Sequence, residues 1–555
     1  KVTLSGVGAA LFSVISQPSS PVASSGGTTT FQVRFAPTSI GVKSATLSIA
    51  NDDTDENPYT FAISGTGIDS TDTDGDGTPD TDDDDDDNDG VSDAQEAIDG
   101  TNPLDPGSVL PVLGTTLCAD WNGFFSGQMW NILEHINIDS TSKTVNSVLY
   151  SIGGITQSSK NFSVAAGGQT DLLVHDMVGR INNSYGIVCS TVSGSTPDID
   201  GRMVYYFAID GSYDFAFAMP FVNGLTGNQY ISFNTYQPSL DVTDQNNLVT
   251  NWIQITNLET SAKSGTLSYY GQSGNVLATA TVNIAAGARN DFSGHQFGQN
   301  LVGMVQWSPN DVNARFQVRN VRYLYNNPGT SDRFDSAVQI SGAKGSGEPL
   351  VAPLDTSFGT AVLEVANTRS SSTSVSVIIY SSSGTALSTK NYTLPAKGSI
   401  HIVADTVLNG DVGSALVDAA ATGGVIVNSL HYGRTTSGGI NFIYETSGIQ
   451  TLGSVLRGSY NTYLGQECDL YLMNSSASAQ TAAITMTRSD GTVVLNGEVQ
   501  ALPAHGTLRY DLCAQDQANN YGVLMVQPST TNSVAAYVVR KGANDAYRFS
   551  TPVRQ

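Results

Sequence analysis

The residues of this chain best placed to do chemistry are aspartates that recur at one metal-ligand spacing, twice in succession. The first set is Asp72, Asp74, Asp76, Gly77, Thr78, Asp80 and Asp83; the second is Asp85, Asp87, Asp89, Gly90, Val91, Asp93 and Glu96. Counted from its first aspartate, each set puts carboxylates at positions 1, 3, 5, 9 and 12 and glycine at 6. Thr78 and Val91 stand at 7, where a backbone carbonyl ligates, and the whole is the ligand order of a calcium loop. A donor set of oxygens without His or Cys favours Ca2+ over zinc or copper. The competing reading is a solvated acidic linker, the usual fate of like charges in a run. Register kept across two consecutive loops favours calcium. Fifteen acidic residues lie between Asp69 and Asp99, and no Lys or Arg occurs from Ser44 to Ser142. Close carboxylates repel by about 1 kcal/mol per pair in water, so cations are expected to decide whether the segment is compact.

With Gly100-Thr101-Asn102-Pro103-Leu104 following the second loop, this stretch resembles the thrombospondin type 3 calcium repeats of bacterial surface proteins. The resemblance implies calcium held by the aspartates and Glu96 in a stiffened linker. Cysteines frequent in animal versions are missing here, so the stiffness would come from the metal alone.

The elements that must carry this segment are strands. Charged residues make up only 14% of 555, glycine is abundant, and Val, Ile, Tyr and Phe recur in short alternating runs, which predicts an all-β chain; with the repeats and the family resemblance given below, the expected fold is tandem immunoglobulin-like β-sandwiches joined by the Asp-rich calcium-binding linker. A net charge of -25 argues against nucleic acid and anionic membrane surfaces, since both need a basic face. No apolar run is long enough to span a bilayer. Lys1 is not an initiator and no signal peptide precedes it, so an upstream portion is expected to have been removed. Of the four cysteines, Cys118 and Cys189 fall in one expected domain and Cys468 and Cys513 in another. Two intradomain bridges are expected among the three possible connectivities, with free buried thiols as the alternative. Bridges and calcium agree on a secreted, extracellular or cell-surface location.

Beyond the acidic segment, markers repeat four times at a period of about 110 residues, the size of a β-sandwich. Asn137, Asn257, Asn367 and Asn474 end a strand; Tyr150, Tyr270, Tyr380 and Thr487 end the next; Gly154, Gly274, Gly384 and Gly491 turn the chain. Small-residue turns follow at Val164-Ala165-Ala166-Gly167 and its three counterparts, and a last strand carries Phe215, Phe334, Phe442 or Phe549. Four such sandwiches in series predict a rod or a curved array. The expected domains are 1–68, 69–106, 107–222, 223–345, 346–448 and 449–555.

The first of these differs. Phe31 to Pro37, Gly41 to Asn51 and Asn57 to Gly67 resemble the immunoglobulin-like domains of the Hydin and choice-of-anchor D type. About five strands are counted where a closed sandwich wants about seven. The deficit would expose strand edges ready to accept another strand, either because the domain is truncated or because a neighbouring subunit completes it.

Catalysis finds little support, and the chain is not expected to be an enzyme. The six histidines share no repeat position, and no GxSxG, P-loop or HExxH occurs. The glycine-rich Gly342 to Gly347 reads as a linker. Tyr213, Phe215 and Phe217 alternate beside Tyr205 to Phe207 and Phe221; they could stack sugars, but aromatics at period two are more often core. Arg315, Arg319 and Arg322, interleaved with Phe316 and Tyr323, read as a solvated strand face or, more sharply, a docking patch for an acidic partner. The leading expectation is a calcium-stiffened structural subunit of an extracellular bacterial filament or surface layer, self-associating head to tail into a polymer. The alternative is an adhesin or carbohydrate-binding protein with a glycan or surface partner.

Overall fold

The computed structural model describes residues 1–67; 71, 73, 78–81, 83, 86, 93 and 104 of the acidic segment; and 116–553 without 124–128, 138, 179–184, 193–198, 210–211, 237–247, 326–335, 420–423, 435–439 and 451–452. The chain is all-β, built from antiparallel sheets, and divides into two compact units, 1–110 and 111–555.

The first unit holds β1 (Val2–Ser5), β2 (Phe12–Ser16), β3 (Gln32–Phe35), β4 (Gly41–Ile49) and β5 (Tyr59–Gly67), arranged as a β1-β4-β5 sheet and a β2-β3 pair. Five strands are therefore present among the described residues, and they bury little. Val2, Phe12, Ala45 and Leu47 form the core, with the Phe12 and Phe35 rings 4.7 Å apart, while Ile15, Ile40, Val42 and Tyr59 remain exposed.

The second unit contains four copies of one eight-stranded sandwich, repeats I to IV. In repeat I the strands are β6 (Thr116–Asn122), β7 (Met129–Asn137), β8 (Lys143–Ser151), β9 (Thr156–Val164), β10 (Gln169–Leu173), β11 (Tyr185–Val192), β12 (Ile199–Ile209) and β13 (Ser212–Pro220). They form sheets β6-β11-β8-β9 and β10-β7-β12-β13, and repeats II to IV reproduce both orders strand for strand. Eight strands in two sheets fit the β-sandwich that the 110-residue period suggested. Only the third–fourth and seventh–eighth connections are hairpins within a sheet; every other connection crosses the sandwich.

Local sequence explains the copying. In Thr373–Ser381, the third strand of repeat III, residues 373, 375, 377 and 379 face inward and the intervening side chains do not, as period-two patterning demands. The following hairpin carries a bulge at the same place in every repeat, between Leu149 and Tyr150, Tyr269 and Tyr270, Ile379 and Tyr380, Met486 and Thr487. Each turn has its glycine at positive φ (Gly154 +81°, Gly274 +82°, Gly384 +81°, Gly491 +88°), the glycine bulge expected of a three-residue hairpin loop. The recurrent Asn is a buried clasp. Asn137 Nδ2 donates to the carbonyls of Thr141, Val164 and Ala165, and its Oδ1 accepts from the Asp139 amide. Asn257, Asn367 and Asn474 make the equivalent bonds, so each closes its own loop onto the next turn and leaves no orphaned polar atom.

The four sandwiches do not form a rod. Their eighth strands, β13 in repeat I and Ser336–Ser341, Ile440–Ser447 and Arg548–Val553 in II to IV, pack on one another in cyclic order, I on II, II on III, III on IV and IV on I. The unit is a closed ring around these strands. Closure arises because the core of repeat I is continued by side chains of both neighbours, Val321, Tyr323 and Ala337 from II and Tyr547 and Phe549 from IV. Backbone bonds join Arg289 to Ile152, Ser399 to Gln272 and Thr507 to Ser382 across the first three junctions. Both disulfides lie within single repeats, Cys118 to Cys189 in I and Cys468 to Cys513 in IV, as the pairing expectation held. No helix among the described residues is long and apolar enough to cross a membrane.

Candidate functional site

Of the twelve expected metal ligands, Thr78, Asp80, Asp83 and Asp93 are described; Asp72, Asp74, Asp76, Asp85, Asp87, Asp89, Val91 and Glu96 lie outside the described residues. What is described keeps the repeat register. The Thr73 amide donates to Asp80 Oδ1 at 2.8 Å and the Asp86 amide to Asp93 Oδ1 at 3.0 Å. In both loops, then, the carboxylate at position 9 accepts from the amide at position 2, which folds each loop back on itself.

Asp86 was not among the expected ligands. It is buried, and its Oδ1 has no hydrogen-bond donor among the described residues. Burial, and after it the charges of Asp93, Asp80 and Asp83, push its carboxyl up to about 6. Carboxylates of both loops thus crowd one orphaned oxygen, an electrostatic environment that a hard cation relieves. Among the described residues no three acidic, His or Cys side chains converge to hold an ion by themselves. The donor chemistry fits calcium, and the ligands at positions 1, 3, 5 and 12 would supply the remainder of the shell.

In the ring, the side chains that sequence reasoning assigned to a surface are interior. Arg319 and Arg322 are each 2% exposed. Arg319 lies 3.3 Å from Asp120 of repeat I, and Arg322 forms a two-pronged pair with Glu364 of repeat III, Nη1 to Oε1 at 3.0 Å and Nη2 to Oε2 at 2.9 Å. For Arg319 and Arg322 neither a solvated face nor a docking patch survives, since they join repeats; Arg315 of repeat II stays half-buried, 3.7 Å from Glu259 of the same repeat. A planar guanidinium suits this role because it satisfies two carboxylate oxygens at once in a dry interface. The aromatic stripe is interior too, with Tyr205 stacked on Phe217 and Phe207 on Phe215, all buried. Phe334 lies outside the described residues.

The II–III contact is repeated at IV–I. Arg540 pairs with Glu134 at 2.6 and 2.9 Å and donates to Ser459 Oγ, as Arg322 donates to Ser232 Oγ. Asn234 donates to Glu364, and Asn461 acts likewise on Glu134. Glu134 and Glu364 each stand three residues before a clasp Asn, where repeats II and IV have Gln254 and Tyr471. That alternation was the sequence signal for this interface. The I–II and III–IV junctions use other pairs, Arg289 and Arg319 on Asp120, and Arg509 with the Tyr471 hydroxyl on Asp355.

The histidines play no common part. Burial holds His135 down to about 3 and His431 to about 4; His135 Nε2 lies 2.8 Å from Ser190 Oγ, and His431 stacks on Tyr444. Among the comparisons with known proteins, residues 85–106 match the family described as the bacterial TSP3 repeat. A search of curated proteins finds nothing that matches the chain. The match covers the second acidic loop and the Gly100 to Leu104 stretch behind it, and the chain is similar to that family there.

Proposed function

We propose that this is an extracellular bacterial surface protein in which a calcium-binding TSP3 segment carries a closed four-sandwich body that acts as a binding or display head. The observation that supports the head is ring closure. A rod exposes two ends that stack into polymers, whereas a ring has used its repeat-to-repeat surfaces internally. Catalysis is not part of this reading.

Calcium is expected to occupy the acidic segment at extracellular concentrations, since loops of this kind bind at about 0.1 to 1 mM. Chelation is expected to make 69–106 the first site of proteolysis in the full chain, and calcium to protect it. The same cleavage pattern with and without calcium would remove the metal from the proposal. Head function is tested by a glycan array and by binding to whole cell surfaces with the full chain; silence in both counts against it.

A second reading, a filament subunit, is favoured by the first unit alone. Among the described residues its five strands leave β1, β2, β3 and β5 each with one edge outside the sheet pairing and apolar side chains in water, which suits strand addition from a second copy. Electron microscopy of secreted material separates the two, by periodic filaments or isolated particles.

A further inference from the structure

Where the eighth strands meet, residues of all four repeats line a cavity of about 230 Å³. It adjoins a larger chamber of about 530 Å³, with which it shares Ser341, Ala343, Ser447, Ile449 and Pro552. The walls are mostly apolar, and one carboxyl stands in them, that of Glu445.

Glu445 is more than nine-tenths buried. Ser447 Oγ donates to its Oε1 at 2.8 Å, and the Asn428 amide, turned to satisfy its neighbours, donates to the same oxygen at 3.0 Å. Both of these bonds go to Oε1, which leaves Oε2 without a hydrogen bond or ion pair among the described residues. The charges that act on it are Arg322, already paired with Glu364, and Glu364 itself. Arg548, also in the wall, gives Nε and Nη2 to Asp545 and lies over the Phe358 and Phe442 rings, its buried Nη1 has no hydrogen-bond partner among the described residues, and it is not among the charges that act on Glu445. Lys344 is exposed at the rim of the larger chamber.

The equivalent junction shows what is missing. Strand register puts Asn428 where repeat I has Arg202, and Glu445 where it has Ala218. At IV–I two guanidiniums, Arg540 and Arg202, face Glu134 and the neighbouring Asp171. At II–III a single guanidinium, Arg322, faces Glu364 and Glu445, and His401, 3.7 Å from Glu364, is held by burial below its ordinary value. The II–III junction therefore lacks one positive charge that its counterpart has, and a cavity stands beside the uncompensated carboxyl.

We propose that this cavity binds a small organic ammonium ion, its nitrogen on Glu445 Oε2 and its apolar body against Val338, Ile443, Pro220 and Pro552. A bare divalent metal fits poorly, because calcium takes six to eight oxygens and one carboxylate offers too few. An ammonium needs only one anionic partner, and the apolar wall shelters its hydrocarbon from water. Burial pushes Glu445 up to about 8, so at neutral pH it enters the encounter as the acid. Pairing with an ammonium breaks that O–H bond and delivers the proton to buffer.

The site is independent of the calcium segment, and its test is calorimetric titration of the full chain with n-butylammonium chloride at pH 7, in buffers of different ionisation enthalpy. Saturable one-to-one binding with release of close to one proton, and at least a tenfold loss in Glu445→Gln, are expected. No saturable heat, or binding without proton release, overturns the proposal, as does equal affinity in Glu445→Gln with an unchanged circular dichroism spectrum. Proton release is read on the natural chain, so it decides the question even where the variant does not fold.

Discussion

The II–III and IV–I junctions of the ring are built from the same four side chains, yet they balance charge differently. Both set an Arg on the seventh strand against a Glu on the neighbour's second strand, with a Ser and an Asn completing the shell. At IV–I a second arginine, Arg202, lies 3.2 Å from Glu134. At II–III its place is taken by the neutral Asn428, and Glu445 adds an acid with no cation of its own. The lesson is that the buried pair holds the repeats in register, while positions beside it are free to depart from neutrality. The ring is thus two alternating pairs rather than four equal copies, with repeats I and III as the glutamate donors and II and IV as the arginine donors.

The largest expected effect comes from breaking the pairs. Removing one partner of a buried ion pair leaves a charge without compensation and costs about 3 to 5 kcal/mol. Arg322→Met and Arg540→Met are both expected in that range by urea unfolding, with Arg322→Met the worse, because Glu134 keeps Arg202 and Glu364 keeps only a neutral His401. Equal losses would mean that the two junctions are energetically alike and the comparison carries no weight.

Next is the pH response of the uncompensated acid. Glu445 rises from 4.5 to about 8 in the folded chain, so between those values the native state holds a proton that the unfolded state has released. Stability attributable to this group is full below pH 4.5, falls as pH rises towards 8 and is flat above it. Glu445→Gln abolishes this dependence and is expected to stabilise the ring by roughly 4 kcal/mol at pH 8. Thermal unfolding at pH 5 and pH 8 measures it; a variant no more stable than the natural chain at pH 8 would show that the carboxyl is already compensated.

The smallest effect contrasts the hairpin turns. A Cβ at Gly154, Gly274 or Gly384 would strike the carbonyl oxygen of Ala286, Ala396 or Ala504 in the following repeat, whereas one at Gly491 meets nothing within 4 Å. Gly384→Ala is therefore expected to cost roughly 2 to 3 kcal/mol, and Gly491→Ala only the left-handed backbone penalty of about 1 kcal/mol. Equal costs in the two variants would place the strain in the turn itself and not in the contact between repeats.

Much of the fold was legible before any coordinates. The Asn markers were visible because each clasp is local, joining a strand end to carbonyls within thirty residues of it. The hairpin turns were visible because only glycine tolerates their φ cheaply, whereas the bulges beside them were not read from the sequence. The acidic loops were visible because a metal shell fixes both residue type and spacing. Asp86 escaped notice because position 2 has no fixed chemistry in such a loop, and its burial depends on how the two loops pack. The arginines of repeat II were misread for the same reason: a charged strand reads as a wet face until another repeat covers it.

The sequence by itself determined the β-strands, the period, the two disulfide pairs and the register of the acidic loops, since these follow from patterns a few residues to one repeat long. Tertiary structure alone decided ring closure, the Arg–Glu junctions and the lone carboxyl in the cavity wall. Arg540 and Glu134 are separated by 406 residues, and no local propensity records a pairing at that distance. What brings them together is the burial of apolar side chains shared between neighbouring repeats, which commits each charged residue to whichever partner the closing ring presents.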